Sequence, residues 1–398
     1  MIGQRPRKIL LIEGCDFESF PVGGQLSFAR QAIPTMGERI ALVGISTDAT
    51  PVGQWVEISR FGRRMPFFAF AKVNPSHHKP VIPLRIQTYI ALKRFRKEIL
   101  AYGARSVISN SPEVTMAVRN WGLDHLLHIA RGTNNPVLFS RYRWARPLAA
   151  RFERSFFSAI RIADVILANA DDSEISNFVN RSRGAITAAD VLRFRTYCDT
   201  SVFRPGDVVQ ARATLDLSSN TPVLVTCGRL NWVKGWDLII ESFSHVAKRF
   251  PRSMLCLVGD GEDRSRVEEF IERFNLAGSV RLTGNLAPEG VANYLNASDV
   301  VLLGSLLEGW PTAIVEAISC GKPVVTTNVS GARQMVLDGR NGFVLNERNP
   351  TKFAEAIVHA LEMDARSVSL ELAQRFSLDR MRADIESVWP PLVAAGES

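Results

Sequence analysis

The chain has 398 residues, of which 46% are hydrophobic and 22% are charged, an ordinary balance for a globular protein. This composition excludes a disordered, collagen-like or disulfide-scaffold protein, and the length favours two domains because one domain usually holds ~100–200 residues. The net charge of +8 is unevenly placed: residues 1–204 carry 29 Lys and Arg against 16 Asp and Glu, and residues 205–398 carry 19 against 24. The basic first half predicts an anionic partner.

The sequence also predicts a cytoplasmic protein without a membrane span. No apolar run approaches the ~20 residues needed to cross a bilayer, and Glu13 interrupts the first apolar run too early for a signal peptide. The five cysteines are odd in number and mostly lie in apolar runs: Cys15, Cys198, Cys227, Cys256 and Cys320. We expect reduced core residues rather than disulfides or metal ligands.

Short apolar runs alternate with longer amphipathic stretches in the first half of the chain. The short runs predict buried strands at Lys8–Ile12, Ile40–Val43, Ser106–Ser109, Leu126–Ala130 and Val165–Asn169. The longer stretches predict helices at Gly23–Ile33, Arg85–Tyr102 and Pro147–Ala163. Continuous apolar strands separated by helices are typical of parallel sheets that helices cover on both faces.

The same alternation begins again after a predicted linker at Thr200–Asn220. Strands are predicted at Pro222–Cys227, Ser253–Val258, Val280–Thr283, Val300–Leu303 and Pro323–Thr326. Helices are predicted at Gly235–Phe250, Arg264–Phe274 and Thr312–Ser319. The expected architecture is α/β, with two doubly wound Rossmann-like domains (1–204 and 205–375) facing each other across a cleft and a C-terminal helix in 376–398. Ligands of such sheets bind beyond the carboxyl ends of the strands.

The segment Cys227-Gly-Arg-Leu-Asn-Trp-Val-Lys-Gly235 follows the first predicted strand of the second domain. Gly228 permits a sharp turn, and Arg229 and Lys234 leave the loop just before a predicted helix. Cations beside a helix N-terminus favour a phosphate pair, because the helix dipole and the side-chain charges add. The alternative is a solvated surface loop with a capping glycine.

The segment Glu308-Gly-Trp-Pro-Thr-Ala-Ile-Val-Glu316 begins in the loop after another predicted strand. Pro311 suits the first turn of a helix, so the backbone amides near Trp310–Ala313 are expected to face the cleft. Glu308 would accept hydrogen bonds from sugar hydroxyls, and Glu316 would hold a ribose diol. The alternative is a pair of acids favoured near a helix start by the macrodipole.

Together these two segments resemble the family 4 retaining glycosyltransferases of the GT-B architecture. The segments between and after them are also similar to that family: Leu257-Val-Gly-Asp-Gly261, Val280-Arg-Leu-Thr-Gly284, Ala297-Ser-Asp-Val300, Glu316–Val324 and Asp338-Gly-Arg-Asn-Gly-Phe-Val344. Nearly all of residues 222–344 is covered, and 163–168 and 201–205 extend the match towards the N-terminus. The resemblance implies sugar transfer from a nucleotide-diphosphate donor (a UDP- or GDP-sugar), with retention at the anomeric carbon and without a metal or other cofactor.

The resemblance also implies a role for particular residues. Arg229 and Lys234 would hold the diphosphate, Glu308 would contact the donor sugar, and Glu316 would contact the ribose. The turn at Gly228 and the backbone of four further residues would surround sugar and phosphate: Gly309, Trp310, Pro311 and Thr312. Thr283 and Gly284 would border the nucleobase, and the last helix, near Leu378–Val393, would cross back onto the first domain.

In the first domain, Gly23-Gly24 permits close approach of the backbone to a phosphate or to an acceptor. The resembled family tends to place a histidine, often as His-Gly, after a mid-domain strand. Here either His128 is that catalytic residue, or Arg131-Gly132 takes the place of the His-Gly pair. A buried structural role for His128 also stays open.

Cations lie among aromatic residues at Arg60–Arg64, Lys93–Lys97 and Arg141–Arg146. Such segments suit a membrane interface, an anionic glycan or nucleic acid, although no nucleic-acid module is recognisable and none is expected. We expect Arg63, Arg64, Arg94, Arg96 and Arg131 to face an acceptor or an anionic membrane surface. Phe61, Phe95, Tyr142 and Trp144 would add anchoring where they are exposed.

The sequence therefore predicts a metal-independent retaining glycosyltransferase of polysaccharide biosynthesis, cytoplasmic or peripheral on the inner face of the membrane. The acceptor would be a glycan or a lipid-linked molecule. The carboxylates of Asp260–Asp263 and the pair His77-His78 are interpreted as loop residues rather than metal ligands. The rivals are a sugar-nucleotide epimerase or hydrolase of the same architecture and a non-catalytic sugar-nucleotide-binding protein.

Overall fold

The computed structural model describes residues 9–21, 24–74, 82–130, 132–138 and 143–392. The chain divides into two units: unit 1 is Met1–Phe194 with Met381–Ser398, and unit 2 is Arg195–Arg380. The boundary predicted between residues 204 and 205 therefore lies within unit 2. Among the residues that are described, no helix is long and apolar enough to cross a membrane.

Unit 1 is built on a mostly parallel sheet. Its strands are β1 (Ile9–Ile12), β2 (Ile40–Ser46), β3 (Trp55–Arg60), β4 (Arg63–Lys72), β5 (Ser106–Ser109), β6 (His125–Ala130), β7 (Val165–Ala168) and β8 (Val191–Arg193). The strand order is β3-β4-β2-β1-β5-β6-β7-β8. The β3–β4 pair is antiparallel and the other described pairs are parallel, so the parallel strands end at one common edge.

Six helices connect these strands in the described part of unit 1. They are α1 (Gly24–Met36), α2 (Leu84–Arg94), α3 (Arg96–Leu100), α4 (Pro112–Val118), α5 (Ala149–Ile160) and α6 (Asp172–Arg181). Asp171 and Glu174 form a capping box that fixes the start of α6. Phe156 and Phe157 of α5 pack against Phe178 of α6 beside β6 and β7, and this contact holds the two helices on the sheet.

Unit 2 contains a fully parallel sheet. Its strands are β9 (Val223–Cys227), β10 (Met254–Val258), β11 (Val280–Leu282), β12 (Val300–Leu303), β13 (Val324–Thr327) and β14 (Gly342–Leu345). The strand order β11-β10-β9-β12-β13-β14 places β9 between β10 and β12. The direction of winding therefore reverses between β9 and β12, and in sheets of this kind ligands bind outside the carboxyl ends of the strands at that reversal.

Nine helices follow α6 in the described residues. They are α7 (Val208–Thr214), α8 (Trp236–Arg249), α9 (Arg264–Arg273), α10 (Pro288–Ala297), α11 (Thr312–Ser319), α12 (Ala332–Met335), α13 (Pro350–Leu361), α14 (Arg366–Ala373) and α15 (Leu378–Val388). Successive residues of β9 enter different cores: Val223 and Val225 pack with α10 and α11, whereas Leu224 packs with α8 and α13. Helices cover both faces of the sheet, and the predicted doubly wound α/β class is confirmed.

The structure corrects three local predictions. The predicted linker Thr200–Asn220 contains α7, whose start is capped by the Asp207 carboxylate, and α7 packs on α10. The helix predicted at Arg85–Tyr102 is interrupted at Phe95, whose ring packs against Phe68. The β3–β4 hairpin was not predicted.

The five cysteines are free and buried, as expected.

Candidate functional site

The loops after β9 and β12 meet at the carboxyl edge of the unit 2 sheet. The residue Gly235, at the end of the first loop, has φ 65°, and a Cβ built there would lie 1.8 Å from the carbonyl oxygen of Gly304. Gly304 begins the second loop directly after β12. A glycine at position 235 is therefore required by the left-handed conformation and by the close backbone approach.

The β9 loop is also joined to the loop after β10. The Gly228 N–H donates to the carbonyl of Val258 at 2.9 Å, and the Leu230 N–H donates to the carbonyl of Asp260 at 3.0 Å. A Cβ on Gly259 would lie 2.0 Å from the carbonyl oxygen of Gly228. These backbone contacts fix the conformation from which the side chains of Arg229 and Lys234 project.

Lys234 and Glu308 form an ion pair across the two loops. The Lys234 Nζ donates to Glu308 Oε1 at 2.6 Å, although the two residues are 74 positions apart in the chain. The Glu308 side chain is 11% exposed and that of Lys234 is 34% exposed, so the pair is partly shielded from water. The structure thus brings together two residues that the sequence assigned to one site.

A residue that the sequence interpretation missed also contacts this carboxylate. Ser305 is buried, and its Oγ–H donates to Glu308 Oε1 at 2.7 Å. The carbonyl of Ser305 accepts a hydrogen bond of 2.6 Å from Thr327 Oγ1 at the end of β13. Ser305 is recognisable as a polar residue directly after a buried strand, whereas the contribution of Thr327 depends on β13 lying beside β12.

Arg229 differs from Lys234 in its surroundings. It is exposed, and its guanidinium has no carboxylate partner among the residues that the structure describes. A guanidinium presents five N–H donors in a planar fork that suits phosphate oxygens. Within the described ranges, the β9 loop therefore offers one ammonium group paired with a carboxylate and one guanidinium group without a carboxylate partner.

Helix α11 begins where it was predicted, although Pro311 precedes its first turn and does not lie within it. Pro311 lies at the N-cap position, so the helix begins at Thr312. The Trp310 side chain is 4% exposed and packs near Phe376, and a Cβ on Gly331 would lie 2.8 Å from its ring. The side chain of Trp310 therefore belongs to the core. Any contribution of Trp310 to a site comes from its backbone, next to the backbone of Gly309 and Thr312.

Glu316 lies one turn inside α11, with part of its surface accessible to solvent. Burial of its carboxyl group among protein atoms raises its pKa to about 8. The thiols of Cys198, Cys227 and Cys320 are near enough for the Glu316 charge to contribute to their raised pKa values, after the larger effect of their own burial. At neutral pH Glu316 is therefore mainly a neutral carboxylic acid, which donates as well as accepts hydrogen bonds.

Thr283 and Gly284 follow β11, two strands away from β9. The Thr283 N–H donates to the carbonyl of Leu257 at 3.1 Å, and Gly284 forms an isolated bridge with Gly259. The two residues thus flank the loops that carry Gly228 and Gly259. Their predicted place beside a nucleobase stays a prediction.

In unit 1, His128 lies inside β6 and is 1% exposed. Its Nδ1 is 2.8 Å from Thr115 Oγ1, and burial lowers its pKa to about 3. Efficient general bases have a pKa near the working pH, so this imidazole is poorly matched to accept a proton at pH 7. The alternative in which Arg131-Gly132 takes this place concerns Arg131, which is outside the described residues.

His128 also lines a cavity of about 320 Å³ beyond the carboxyl ends of β5 and β6. Polar groups of Asn110, Thr133 and Asn135 share this cavity with the Phe156 ring.

Gly24 is the first residue of α1, and Gly23 lies outside the described residues, as do His77, His78 and Tyr142.

The acids of Asp260–Asp263 have protein partners. Asp263 Oδ2 accepts a hydrogen bond from Trp236 Nε1 at 3.2 Å, and Asp263 Oδ1 accepts one from Arg266 at 2.9 Å. Asp260 accepts from the Gly261 N–H and lies 3.6 Å from Arg264. These contacts fit the interpretation of a structural loop.

The part of the chain that carries this site is similar to a known family. Residues 209–377 match the model of the glycosyl transferases group 1 family. The chain is 30% identical over 181 residues to a subunit of the phosphatidylinositol N-acetylglucosaminyltransferase of Arabidopsis thaliana, which is 46% of this chain and 38% of that protein. The chain thus spans well under half of the length of that relative. The family match lies within unit 2, and the resemblance to group 1 glycosyltransferases that was drawn from the sequence is confirmed.

The similarity to solved structures extends over nearly the whole chain. Sucrose-phosphate synthase from Thermosynechococcus elongatus has a TM-score of 0.75 and 20% identity, with 98% of this chain and 99% of that chain covered. Anabaena HepE in complex with UDP and glucose has a TM-score of 0.70 and 19% identity, with 96% and 99% covered. At this level of identity the likeness establishes the fold, which is that of the GT-B glycosyltransferases.

The raised pKa of Glu316 predicts a pH-dependent stability. The unfolded chain releases the Glu316 proton near the ordinary carboxyl pKa of 4.5. The folded protein keeps it until the pH approaches about 8. The contribution is therefore complete below pH 4.5 and is lost as the pH rises through about 8. In thermal unfolding, the melting temperature of the wild-type protein should fall relative to that of Glu316→Gln across this range.

The matched control is Glu355→Gln, because Glu355 is an exposed residue of α13 in the same unit. Its difference from the wild type gives the baseline with which the Glu316→Gln difference is compared. His128 acts in the opposite sense between pH 3 and 6.5, but it is present in both proteins and cancels in the comparison. A difference between wild type and Glu316→Gln that stays constant from pH 4.5 to 8 would contradict a buried, protonated Glu316.

Proposed function

We propose that the protein transfers a sugar, with retention of anomeric configuration, from a UDP- or GDP-sugar to a glycan or lipid-linked acceptor. The observation that carries the proposal is the contact of Lys234, Glu308 and Ser305 at the reversal of strand order, beside Arg229. Anabaena HepE, which shares the fold, was solved with UDP and glucose, and the Arabidopsis relative is named for a lipid acceptor. Both support the proposed substrate classes.

In this proposal the donor diphosphate binds Arg229 and Lys234. An ammonium group has three N–H donors, so Lys234 keeps its contact with Glu308 while it donates to a phosphate oxygen. The backbone amides at the start of α11 supply further donors and the positive end of the helix dipole. These groups stabilise the negative charge that grows on the leaving diphosphate, and they are already oriented before the reaction.

The proposed transfer balances without an additional base. The bond between the anomeric carbon and the diphosphate oxygen breaks, and the acceptor oxygen forms its bond on the same face of the sugar. The acceptor proton passes to the leaving phosphate. Glu308 holds the donor sugar through hydroxyl hydrogen bonds, and the neutral Glu316 carboxyl binds the ribose. The low pKa of His128 supports a scheme in which that residue takes no proton.

The acceptor is proposed to use unit 1. The cavity beside His128 combines amide, hydroxyl and aromatic side chains, which is a typical lining for a sugar ring. A lipid-linked acceptor would require the protein to work at the inner face of the membrane. Turnover with an added acceptor separates this proposal from an epimerase, a hydrolase or a non-catalytic binding protein.

Removal of either cation should weaken donor binding. Loss of a charge-assisted hydrogen bond to phosphate costs ~1.5–3 kcal/mol, so Arg229→Ala and Lys234→Ala should each weaken UDP or GDP binding about 10–150-fold. The measurement is calorimetric titration with the nucleotide that gives the larger thermal shift. The control is Arg252→Ala, because Arg252 is exposed and precedes β10, at the opposite edge of the sheet. Unchanged affinity in both site variants would refute the diphosphate assignment.

The variant Glu308→Gln should fold normally and lose most transfer activity. The amide keeps the volume and an oxygen that accepts from Lys234 and Ser305, so the change removes charge without opening a cavity. The initial rate of transfer at saturating donor and acceptor tests this, with the melting temperature as the check of folding. Glu347→Gln is the matched control, since Glu347 pairs with Lys352 at 2.8 Å on an exposed surface of unit 2. A wild-type rate in Glu308→Gln would place Glu308 outside the sugar site.

The proposed reaction should continue in excess EDTA. Among the described residues, no group of three or more His, Cys, Asp or Glu side chains is placed to hold a metal ion, and the cations supply the charge stabilisation. The rate is measured with EDTA, with EDTA followed by excess Mg²⁺ or Mn²⁺, and without additions. Loss of activity with chelator and its return with metal would overturn the metal-free mechanism.

A further inference from the structure

Two cavities of unit 1 lie on either side of α5 and are lined by cations. The first, of about 300 Å³, is lined by Lys93, Arg96 and Arg119 together with Ser155 of α5. The second, of about 440 Å³, is lined by Arg154 and Arg161 of α5 and by Arg181 and Arg183 at the end of α6. The sequence pattern had indicated Lys93 and Arg96 as part of a basic segment, but it had not indicated the cations of the second cavity.

Most of these cations have no carboxylate beside them. Arg181 pairs with Glu153 at 2.7 Å, and Glu153 is the one carboxylate among the described residues that line either cavity. Lys93 has its Nζ 4.7 Å from the centre of the Tyr89 ring rather than beside an acid. Within the described ranges, no ion pair is formed by Arg96, Arg119, Arg154, Arg161 or Arg183. Neighbouring like charges repel, so an anion that binds across them gains an uncompensated attraction.

An exposed apolar stripe adjoins the first cavity. Ile86 and Ile90 are one turn apart on α2 and are 40% and 57% exposed, and Ile82, just before the helix, is 52% exposed. Lys93 follows Ile90 by three residues and so lies on the same face of α2. The opposite face of α2 is buried through Thr88 and Leu92. This helix therefore presents aliphatic side chains and a cation to solvent together.

We propose that this surface docks onto a bilayer that contains anionic lipids. The docking surface is defined by Ile86, Ile90, Lys93, Arg96, Arg119 and Arg154. Its cations would contact lipid phosphates, and its isoleucines would enter the boundary between headgroups and acyl chains. Nucleic acid is a poorer fit, because bases are bound by stacking on aromatic faces and the exposed stripe is aliphatic. The inference does not depend on the proposed sugar transfer.

This assignment separates the residues that the sequence grouped as membrane contacts. Arg96 belongs to the docking surface and Arg94 lies beside it on α2, whereas Arg63 and Arg64 lie on β4 next to the hairpin turn. Phe95 packs against Phe68, with ring centres 5.8 Å apart, and so is a poor anchor. Trp144 is 59% exposed and lies in the short helical turn that precedes α5.

The test is co-sedimentation of the full chain with vesicles of phosphatidylcholine alone or mixed with phosphatidylglycerol. Wild-type protein should bind the anionic vesicles, and binding should weaken as salt rises because screening shortens the range of the charges. The charge-reversal pairs Lys93→Glu with Arg96→Glu, and Arg119→Glu with Arg154→Glu, should each weaken binding at least about thirtyfold. Ile86→Gln with Ile90→Gln should weaken the binding that persists at high salt.

The matched control is Arg63→Glu with Arg64→Glu, which changes the same charge on the β3–β4 hairpin and should weaken binding far less. Thermal shifts with UDP or GDP are measured on every variant, and docking variants should keep the wild-type shift, so that failure of docking is distinguished from failure of the proposed function. Equal binding to neutral and anionic vesicles, or equal losses in the control and docking pairs, would overturn the inference. Binding of single-stranded RNA that equals vesicle binding and is insensitive to the isoleucine changes would also overturn it.

Discussion

The candidate site of unit 2 depends on the close approach of two backbone segments at Gly235 and Gly304. No side chain fits between them, since a Cβ at position 235 would lie 1.8 Å from the Gly304 carbonyl oxygen. The site residues are the direct chain neighbours of these glycines: Lys234 precedes Gly235, and Ser305 follows Gly304. Both reach the same carboxylate oxygen of Glu308, at 2.6 and 2.7 Å. Arg348 reinforces the contact by donating to the Gly304 carbonyl and, at 2.8 Å, to Asp237.

The electrostatic balance of this site follows from the way its two acids are neutralised. Lys234 compensates Glu308 directly, and a proton compensates Glu316, whose pKa burial raises to about 8. Arg229 is left as a cation without a carboxylate partner in the described part of the chain. The charge of both acids is thus offset, and the positive charge of Arg229 is not. Removal of Lys234 alone would leave Glu308 with Ser305 but without a counter-charge, a change that is generally more costly when the carboxylate is shielded from water.

The sequence predicts best those elements in which local signals agree. The bounds of β5, β12 and α11 are as predicted, because short buried runs and a glycine stop signal define them without long-range information. The β3–β4 hairpin was missed because its alternating residues surround Arg60–Arg64, which the basic pattern emphasised instead. The predicted linker was wrong because Pro205 and the paired serines suggested a loop, whereas Asp207 caps a short helix between them.

The site shows the same division between local and long-range information. Arg229, Lys234 and Glu308 were predicted as site residues because they lie in loops that follow buried strands, and Glu316 because it lies one turn inside the next helix. The ion pair itself depends on β12 lying beside β9, which a sequence alone does not specify. Thr327 was missed for the same reason, since it reaches Ser305 from β13. For Trp310 the motif predicts a contribution from the backbone alone, and the burial of its side chain in the core is compatible with that prediction.

Net charge gives a misleading guide to where an anion would bind in this chain. Residues 205–398 carry 19 Lys and Arg against 24 Asp and Glu, yet the candidate diphosphate site lies among them. At physiological salt, screening limits exposed charges to a range of ~8 Å, so an anion at the β9 loop responds to Arg229 and Lys234 more than to distant acids. In unit 1 the excess of cations is itself locally concentrated, because α2, α5 and α6 direct theirs to two cavities whose described lining holds one carboxylate. The arrangement of charges, and not their sum, therefore distinguishes the compact candidate site of unit 2 from the broad basic surface of unit 1.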